Sequence, residues 1–244
     1  MEFNPDKIKT GDILLSYSPF NLWNIVKPIN PLKVADNFLG QIVSSEIRVC
    51  TQSPYSHTGL LIKKDDGKIV MVEAIAKGLV ENDFVKKYIE TKELIVILRL
   101  INRDSNKIRE AINDEQRTIM SETVYKILSE TNPVYDFKLL ILLGLAIKFL
   151  KCKDYREVLK YFKGKYDNFW ICSEWVQWVY RGFEIEFCDY LATPQDIWLY
   201  PQSVCVYSNL FSNNRFVKNY PDVTKELWAR IKLFNDMIVT PIAP

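Results

Sequence analysis

Short apolar runs predict β-strands in the first hundred residues of the chain. A strand follows the turn at 10–12, and two more strands, at 56–62 and 68–74, are separated by Asp65-Asp66-Gly67. This spacing predicts a β-hairpin. The nearly unbroken apolar run at 94–98 predicts a further strand that is buried on both faces.

Helical spacing dominates the second half of the chain. A stripe of apolar residues predicts a helix from Asp104 to Glu130, with Asp104 or Ser105 as its cap. Residues 193–198 predict a turn and a short helix, and 204–207 predict a last strand. From Pro221 onward, apolar residues at helical spacing predict a C-terminal helix that docks on the rest of the protein.

One predicted helix begins at a cysteine. Cys172, Trp175, Val176 and Val179 lie at i, i+3, i+4 and i+7, and Gly182 suits the helix end. A thiol at a helix N-terminus feels the positive end of the peptide dipoles, which favours the nucleophilic thiolate. The alternative is that Cys172 is a small buried hydrophobic residue beneath a tryptophan-rich helix.

The turn of the predicted hairpin decides whether His57 and Glu73 share a face of the sheet. A three-residue connection with a left-handed Gly67 places His57 opposite Ile75 and leaves Glu73 one diagonal step away, on the same face. A two-residue turn at Asp66-Gly67 sends Glu73 to the opposite face. The sequence allows both registers, and Glu73 could equally be a solvated strand carboxylate.

Composition narrows the class of protein. The 244 residues, 48% of them hydrophobic, are sufficient for a packed core, and 32 basic against 30 acidic residues give no support for a nucleic-acid partner. Five cysteines without a C-x-x-C pair, together with a single histidine, argue against a disulfide framework or a zinc site. We therefore expect no metal or organic cofactor. Because no secretory signal is visible, we expect a cytoplasmic protein, made by a cell or by a phage or virus.

An ordered set of short motifs resembles a known group of enzymes. The motifs are Gly11-Asp12-Ile13, Ser56-His57-Thr58-Gly59, Val72-Glu73-Ala74, Pro133-Val134-Tyr135-Asp136, Cys172-Ser173-Glu174-Trp175-Val176 and Thr193-Pro194-Gln195-Asp196. In this order they resemble the circularly permuted papain-like branch of the NlpC-type amidases and, more narrowly, the YiiX-like hydrolases. In that branch the histidine precedes the cysteine, and lecithin:retinol acyltransferases share the permutation.

The resemblance implies a role for each matched residue. Cys172 matches the nucleophile, His57 the general base, and Glu73 the polar residue that orients the histidine. Tyr135 matches a tyrosine beside the active site that helps to bind the oxyanion, and Tyr166 is a second aromatic candidate for that task. Independently of the family, His57 is the only histidine that could serve a cysteine nucleophile as base.

We therefore expect an α+β, circularly permuted papain-like fold in which a small antiparallel sheet packs on the cysteine helix. The catalytic domain is predicted at 1–208, with insertions near 20–50 and 137–165, and a helical extension at 209–244. The expected activity is that of a cysteine hydrolase or acyltransferase, with a peptide amide slightly favoured over a lipid ester as substrate. The apolar run at 137–150 is too short to span a bilayer but suits a peripheral membrane contact. The alternative is a papain-like module that binds a peptide or lipid without catalysis.

Overall fold

The protein is built around one antiparallel sheet. The computed structural model describes residues 2–17, 53–75, 78–104, 107–130, 134–135 and 169–239. The strands are β1 Ile13–Tyr17, β2 His57–Lys63, β3 Ile69–Ile75, β4 Gly78–Asp83, β5 Leu94–Asp104, β6 Lys107–Glu110, β7 Val134–Tyr135, β8 Phe169–Trp170 and β9 Ser203–Ser208. Seven of them form a sheet in the order β4-β3-β2-β1-β5-β6, with β9 pairing with β5 as well, so the sheet is larger than expected. The short strands β7 and β8 form a separate parallel pair.

The helices are α1 Asp114–Glu130, α2 Cys172–Arg181, α3 Pro194–Leu199, α4 Asn214–Asn219 and α5 Pro221–Val239, and a π-helical turn spans Val85–Ile89. The mixture of helices with an antiparallel sheet confirms the α+β class. Helix α2 begins at Cys172 and is followed by Gly182, as its spacing predicted. A capping box holds the N-terminus of helix α3: the Thr193 side chain accepts a hydrogen bond from the Asp196 backbone N–H, and the Asp196 side chain accepts one from the Thr193 backbone N–H.

The two faces of the sheet carry separate apolar clusters, because side chains alternate along each strand. On one face, Leu60 and Val72 belong to a cluster with Trp175 and Val176 of α2. On the other face, Leu61 and Met71 pack with the residues of the π-helical turn. The predicted C-terminal helix contributes to both clusters, because Leu227 and Ile231 join the first and Phe234 joins the second.

The prediction of a helix from Asp104 to Glu130 was wrong in its first ten residues. Asp104 ends the long strand β5, which continues well beyond the predicted 94–98, and residues 107–110 form β6 antiparallel to it. The helix begins at Asp114, so Asp104 is not its cap. The apolar stripe was real for α1, since Met120 and Val124 are buried, but it was extended over a polar hairpin whose residues show no such stripe.

The Gly-Asp-Ile motif has a structural role in this fold. Gly11 adopts a φ of +91°, a left-handed conformation that favours glycine, and it turns the chain into β1. Asp12 is fully buried and accepts two hydrogen bonds from Arg99, Nε to Oδ1 and Nη2 to Oδ2, both at 2.8 Å. The turn before β1 is therefore fixed to β5 by a bidentate ion pair.

In the described part of the chain, no helix is both long enough and apolar enough to span a bilayer. The predicted insertions, 20–50 and 137–165, lie entirely outside the described residues, and so does the apolar run at 137–150. The expected membrane contact and the division at residue 208 stay predictions.

Candidate active site

The hairpin adopts the register that brings His57 and Glu73 to one face. Leu60 lies opposite Val72 and Lys63 opposite Ile69, which corresponds to the three-residue connection at Asp65-Asp66-Gly67. Gly67 has a φ of +81°, as that connection requires. His57 Nε2 and Glu73 Oε2 are 2.6 Å apart, a contact that the sequence permitted but did not decide.

Gly59 makes room for this contact. It lies between His57 and Leu61 on the same side of β2, one step beyond the last pair, Leu60–Val72, and the same register continued puts it opposite Glu73. A Cβ atom at position 59 would collide with the Met71 side chain and would lie 3.1 Å from the Cβ of Glu73. The absence of a side chain at Gly59 therefore lets the Glu73 carboxylate reach diagonally to His57, which gives a physical reason for glycine in the Ser-His-x-Gly motif.

The Glu73 carboxylate is fully buried and accepts hydrogen bonds on both oxygens. Oε1 accepts from Asn82 Nδ2 at 2.8 Å and from Lys87 Nζ at 2.5 Å. Oε2 accepts from the Tyr88 hydroxyl at 3.0 Å, in addition to its contact with His57. These three further partners come from β4 and the π-helical turn, and they hold the carboxylate in one orientation toward the histidine.

Cys172 is buried at the first position of α2, and its side chain hydrogen-bonds that of His57. Because Nε2 of His57 is engaged by Glu73, Nδ1 is the ring nitrogen left for the thiol. The residue before the helix, Ile171, has no side-chain acceptor for the helix N–H groups, and its own N–H is bonded by Glu174 Oε2 at 3.4 Å. The Ser173 N–H instead bonds the Cys172 sulfur.

The sulfur lies beside the end of the ladder between β2 and β3. The pairing of β2 with β3 runs from Lys63–Ile69 to Leu60–Val72, whereas β1 stays paired with β2 as far as His57. The ladder between β2 and β3 thus ends at Leu60, and the Thr58 N–H, which lies beyond it, bonds the Cys172 sulfur. The thiol is thus surrounded by two backbone N–H donors and an imidazole.

These contacts shift the pKa values of Cys172, His57 and Glu73. Burial alone would raise the pKa of the Cys172 thiol, but the charge and hydrogen bond of His57, aided by the N–H groups of Thr58 and Ser173, lower it below the ordinary value. Burial alone would lower the pKa of His57, yet Cys172 and Glu73 raise it to about 10. Burial of Glu73 is likewise outweighed by His57 and Lys87, which lower its pKa to about 2.

The site therefore favours a thiolate, an imidazolium and a carboxylate in a row at neutral pH. The pKa values of the other two described cysteines are shifted in the opposite direction. Burial raises the pKa of Cys188 to about 11 and also raises that of Cys205, because neither has a histidine beside it. Among the cysteines that the structure describes, Cys172 is thus the one with the electrostatics of a nucleophile.

The structure describes only one of the two tyrosines that are candidates for binding the oxyanion. Tyr135 lies in β7, which pairs in parallel with β8 so that Tyr135 is opposite Trp170, two residues before Cys172. Tyr166 lies outside the described residues. Sequence reasoning missed Asn82, Lys87 and Tyr88, because nothing in their local pattern indicates that they converge on a buried carboxylate.

Comparison with known proteins supports the fold. No family model matches the sequence, and no curated protein matches it either. Among solved structures, the chain is similar to the crystal structure of the metalloprotein YiiX from Escherichia coli O157:H7, with 18% identity and a TM-score of 0.51. The match covers 83% of this chain and 98% of that one, and it shows a YiiX-like fold. In the described residues of this chain, no group of three or more His, Cys, Asp and Glu side chains could hold a metal ion.

Proposed function

We propose that this protein is a cysteine hydrolase or acyltransferase of the circularly permuted papain-like type, with Cys172 as nucleophile. The observation that carries the proposal is the continuous line from Glu73 Oε2 through His57 Nε2, at 2.6 Å, to a thiol at the start of a helix. A thiolate stabilised by an imidazolium, itself oriented by a carboxylate, is the arrangement that nucleophilic catalysis on carbonyl groups requires.

The reaction would begin from the thiolate. Its sulfur attacks an amide or ester carbonyl carbon, a C–S bond forms, and the carbonyl electrons move to oxygen. The Cys172 backbone N–H at the start of α2 is one donor for that oxyanion, and Tyr135 or Tyr166 is the proposed second. When the intermediate collapses, His57 gives its proton to the leaving nitrogen or oxygen, and a thioester remains on Cys172. Neutral His57 then takes a proton from water or another acceptor as that group attacks the thioester; the C–S bond breaks, the acyl product leaves, and the thiolate and imidazolium are restored.

A peptide amide is the substrate that we slightly favour, and a lipid ester is the alternative. An amide nitrogen is a poor leaving group that needs a proton, and an imidazolium fixed by Glu73 is suited to supply it. The test is a panel of fluorogenic peptides, isopeptides and phospholipids, with mass spectrometry of the intact protein to detect an acyl group on Cys172.

Four variants make the test decisive. Cys172→Ala and His57→Ala should each abolish turnover, and Cys188→Ala should leave it unchanged, since Cys188 is a half-buried thiol outside the site. Glu73→Gln should reduce turnover without abolishing it. Turnover that survives in Cys172→Ala would refute the proposal. Tight binding without turnover or acylation, across the panel and in the unmodified protein, would instead indicate the non-catalytic module.

A further inference from the structure

Lys87 is the cation closest to the carboxylate that orients the histidine. Its Nζ lies 2.5 Å from Glu73 Oε1, while His57 bonds the other oxygen. Lys87 lies on the π-helical turn Val85–Ile89, a rare conformation that often marks functional sites, and its side chain is 38% exposed whereas that of Glu73 is fully buried. The neighbouring Lys86 is exposed on the same turn.

The role of this cation depends on the charge of His57. While His57 is an imidazolium, the buried carboxylate already has a counter-charge. When His57 gives up its proton, Glu73 would be a buried anion whose one remaining cationic partner, among the described contacts, is Lys87. A buried unpaired carboxylate is strongly disfavoured, so without Lys87 the proton would be held more tightly between His57 and Glu73.

We propose that Lys87 is a positioning residue that shares the charge of Glu73 and thereby limits how tightly His57 holds its proton. Its catalytic meaning rests on the proposed function, because release of that proton is what a leaving group needs. The charge relation itself does not depend on Cys172 being a nucleophile.

A purely structural role for Lys87 predicts the opposite sign. If the ammonium group only anchored the Glu73 side chain, its removal would loosen the contact between Glu73 and His57 and lower the pKa of His57. If it shares the charge of Glu73, its removal raises the pKa of His57, because a positive neighbour is lost and the carboxylate acts on the imidazole alone.

The other ionisable groups around His57 and Glu73 are the same whether Lys87 anchors Glu73 or shares its charge. Cys172 faces His57 from α2, and the Tyr88 hydroxyl donates to Glu73 from the π-helical turn. Glu93 lies near Lys87 and Tyr88, and its pKa is raised by burial and only partly lowered by Lys87. A Cys172→Ala background removes the thiol, whose ionisation otherwise shifts the titration of His57.

The test uses the fact that His57 is the only histidine in the chain. With ring-labelled histidine, NMR follows a single imidazole through its titration in the Cys172→Ala protein. Adding Lys87→Met should raise the pKa of His57 by roughly one pH unit or more, equivalent to about a tenfold change in proton affinity. Lys86→Met is the matched control and should leave it unchanged, and Lys87→Arg should restore it because the positive charge returns.

The inference is overturned if Lys87→Met leaves the pKa of His57 unchanged or lowers it while circular dichroism shows that the fold is retained. If Lys87→Met does not fold, the Lys87→Arg and Lys87→Gln proteins give the same comparison, and equal pKa values in those two would also overturn it. In the protein that retains Cys172, Lys87→Met should slow hydrolysis of an amide about tenfold, and slow that of an activated ester much less, because only the amide leaving group needs the proton. Absence of all turnover in the unmodified protein would refute the proposed function but leave the NMR result decisive for Lys87.

Discussion

Glu73→Gln tests the site and the stability of the fold together. The substitution keeps the shape of the side chain but removes its charge. It also places an amide NH2 group among the donors His57, Lys87 and Tyr88, so at least one of them loses its acceptor. We expect a loss of folding stability and a shift in the pH range over which Cys172 is a thiolate.

The magnitude follows from the pKa of Glu73, which falls from 4.5 in the unfolded chain to about 2 in the folded protein. That difference corresponds to about 3 kcal/mol of stability at neutral pH. Because the folded-state pKa is the lower one, the contribution is fully present above pH 4.5 and is lost as the pH falls toward about 2. The advantage of the unmodified protein over Glu73→Gln should therefore shrink through that interval.

Urea unfolding at pH 7 and at several values below 4.5 measures this difference. Glu81→Gln is the control, because Glu81 on β4 forms a partly exposed ion pair with Lys64 at 2.7 Å and should change stability by less than about 1 kcal/mol. The second readout is iodoacetamide alkylation mapped to each cysteine. Loss of the carboxylate should move the pH midpoint for Cys172 upward by roughly one unit or more, with Cys188 unaffected. Equal stability at pH 7 and an unchanged alkylation profile would refute the reasoning.

Three further changes have clear expected results. Gly59→Ala should destabilise the protein by about 1 to 3 kcal/mol, because its methyl group meets Met71, and should also reduce Cys172 alkylation at neutral pH by displacing Glu73; normal alkylation would contradict the role given to Gly59. Asp12→Ala should cost about 2 to 3 kcal/mol in urea unfolding, because the buried Arg99 loses its bidentate partner and, among the described contacts, keeps only Glu110, at 3.1 Å, as a counter-charge; a loss below 1 kcal/mol would contradict this. His57→Ala should return the alkylation midpoint of Cys172 toward that of an ordinary thiol, about 8.5, and an unchanged midpoint would remove the case for a Cys-His pair.

Elements with a strong local signal could be predicted from the sequence. The helix at Cys172 has its apolar stripe and a glycine at its end, and the C-terminal helix buries Leu227 and Ile231 as its spacing required. The helix at 114–130 was extended too far toward its N-terminus, because the end of β5 is polar and β6 has only four residues in which to show a strand pattern. Its pairing is determined by the neighbouring strand instead.

The candidate site could be predicted only as a set of residues. Each of His57, Glu73 and Cys172 belongs to a motif, but their contact depends on a hairpin register that two turn types made equally available. The environment of Glu73 was beyond sequence reasoning for a different reason. Asn82 and Lys87 lie nine and fourteen residues further along the chain, and they reach the carboxylate because β4 pairs with β3 and the turn after β4 folds over the same face.

The end of the ladder between β2 and β3 connects these observations. The Thr58 N–H lies beyond the end of this ladder and bonds the Cys172 sulfur, while Gly59 leaves space for Glu73 to reach across to His57. A backbone donor, a side-chain gap and the histidine itself thus come from three consecutive residues of one strand. Extending the ladder to Thr58 would engage that N–H in the sheet and remove it from the thiol. The pKa of Cys172 therefore depends on where the β2–β3 ladder ends as much as on which side chains surround the thiol.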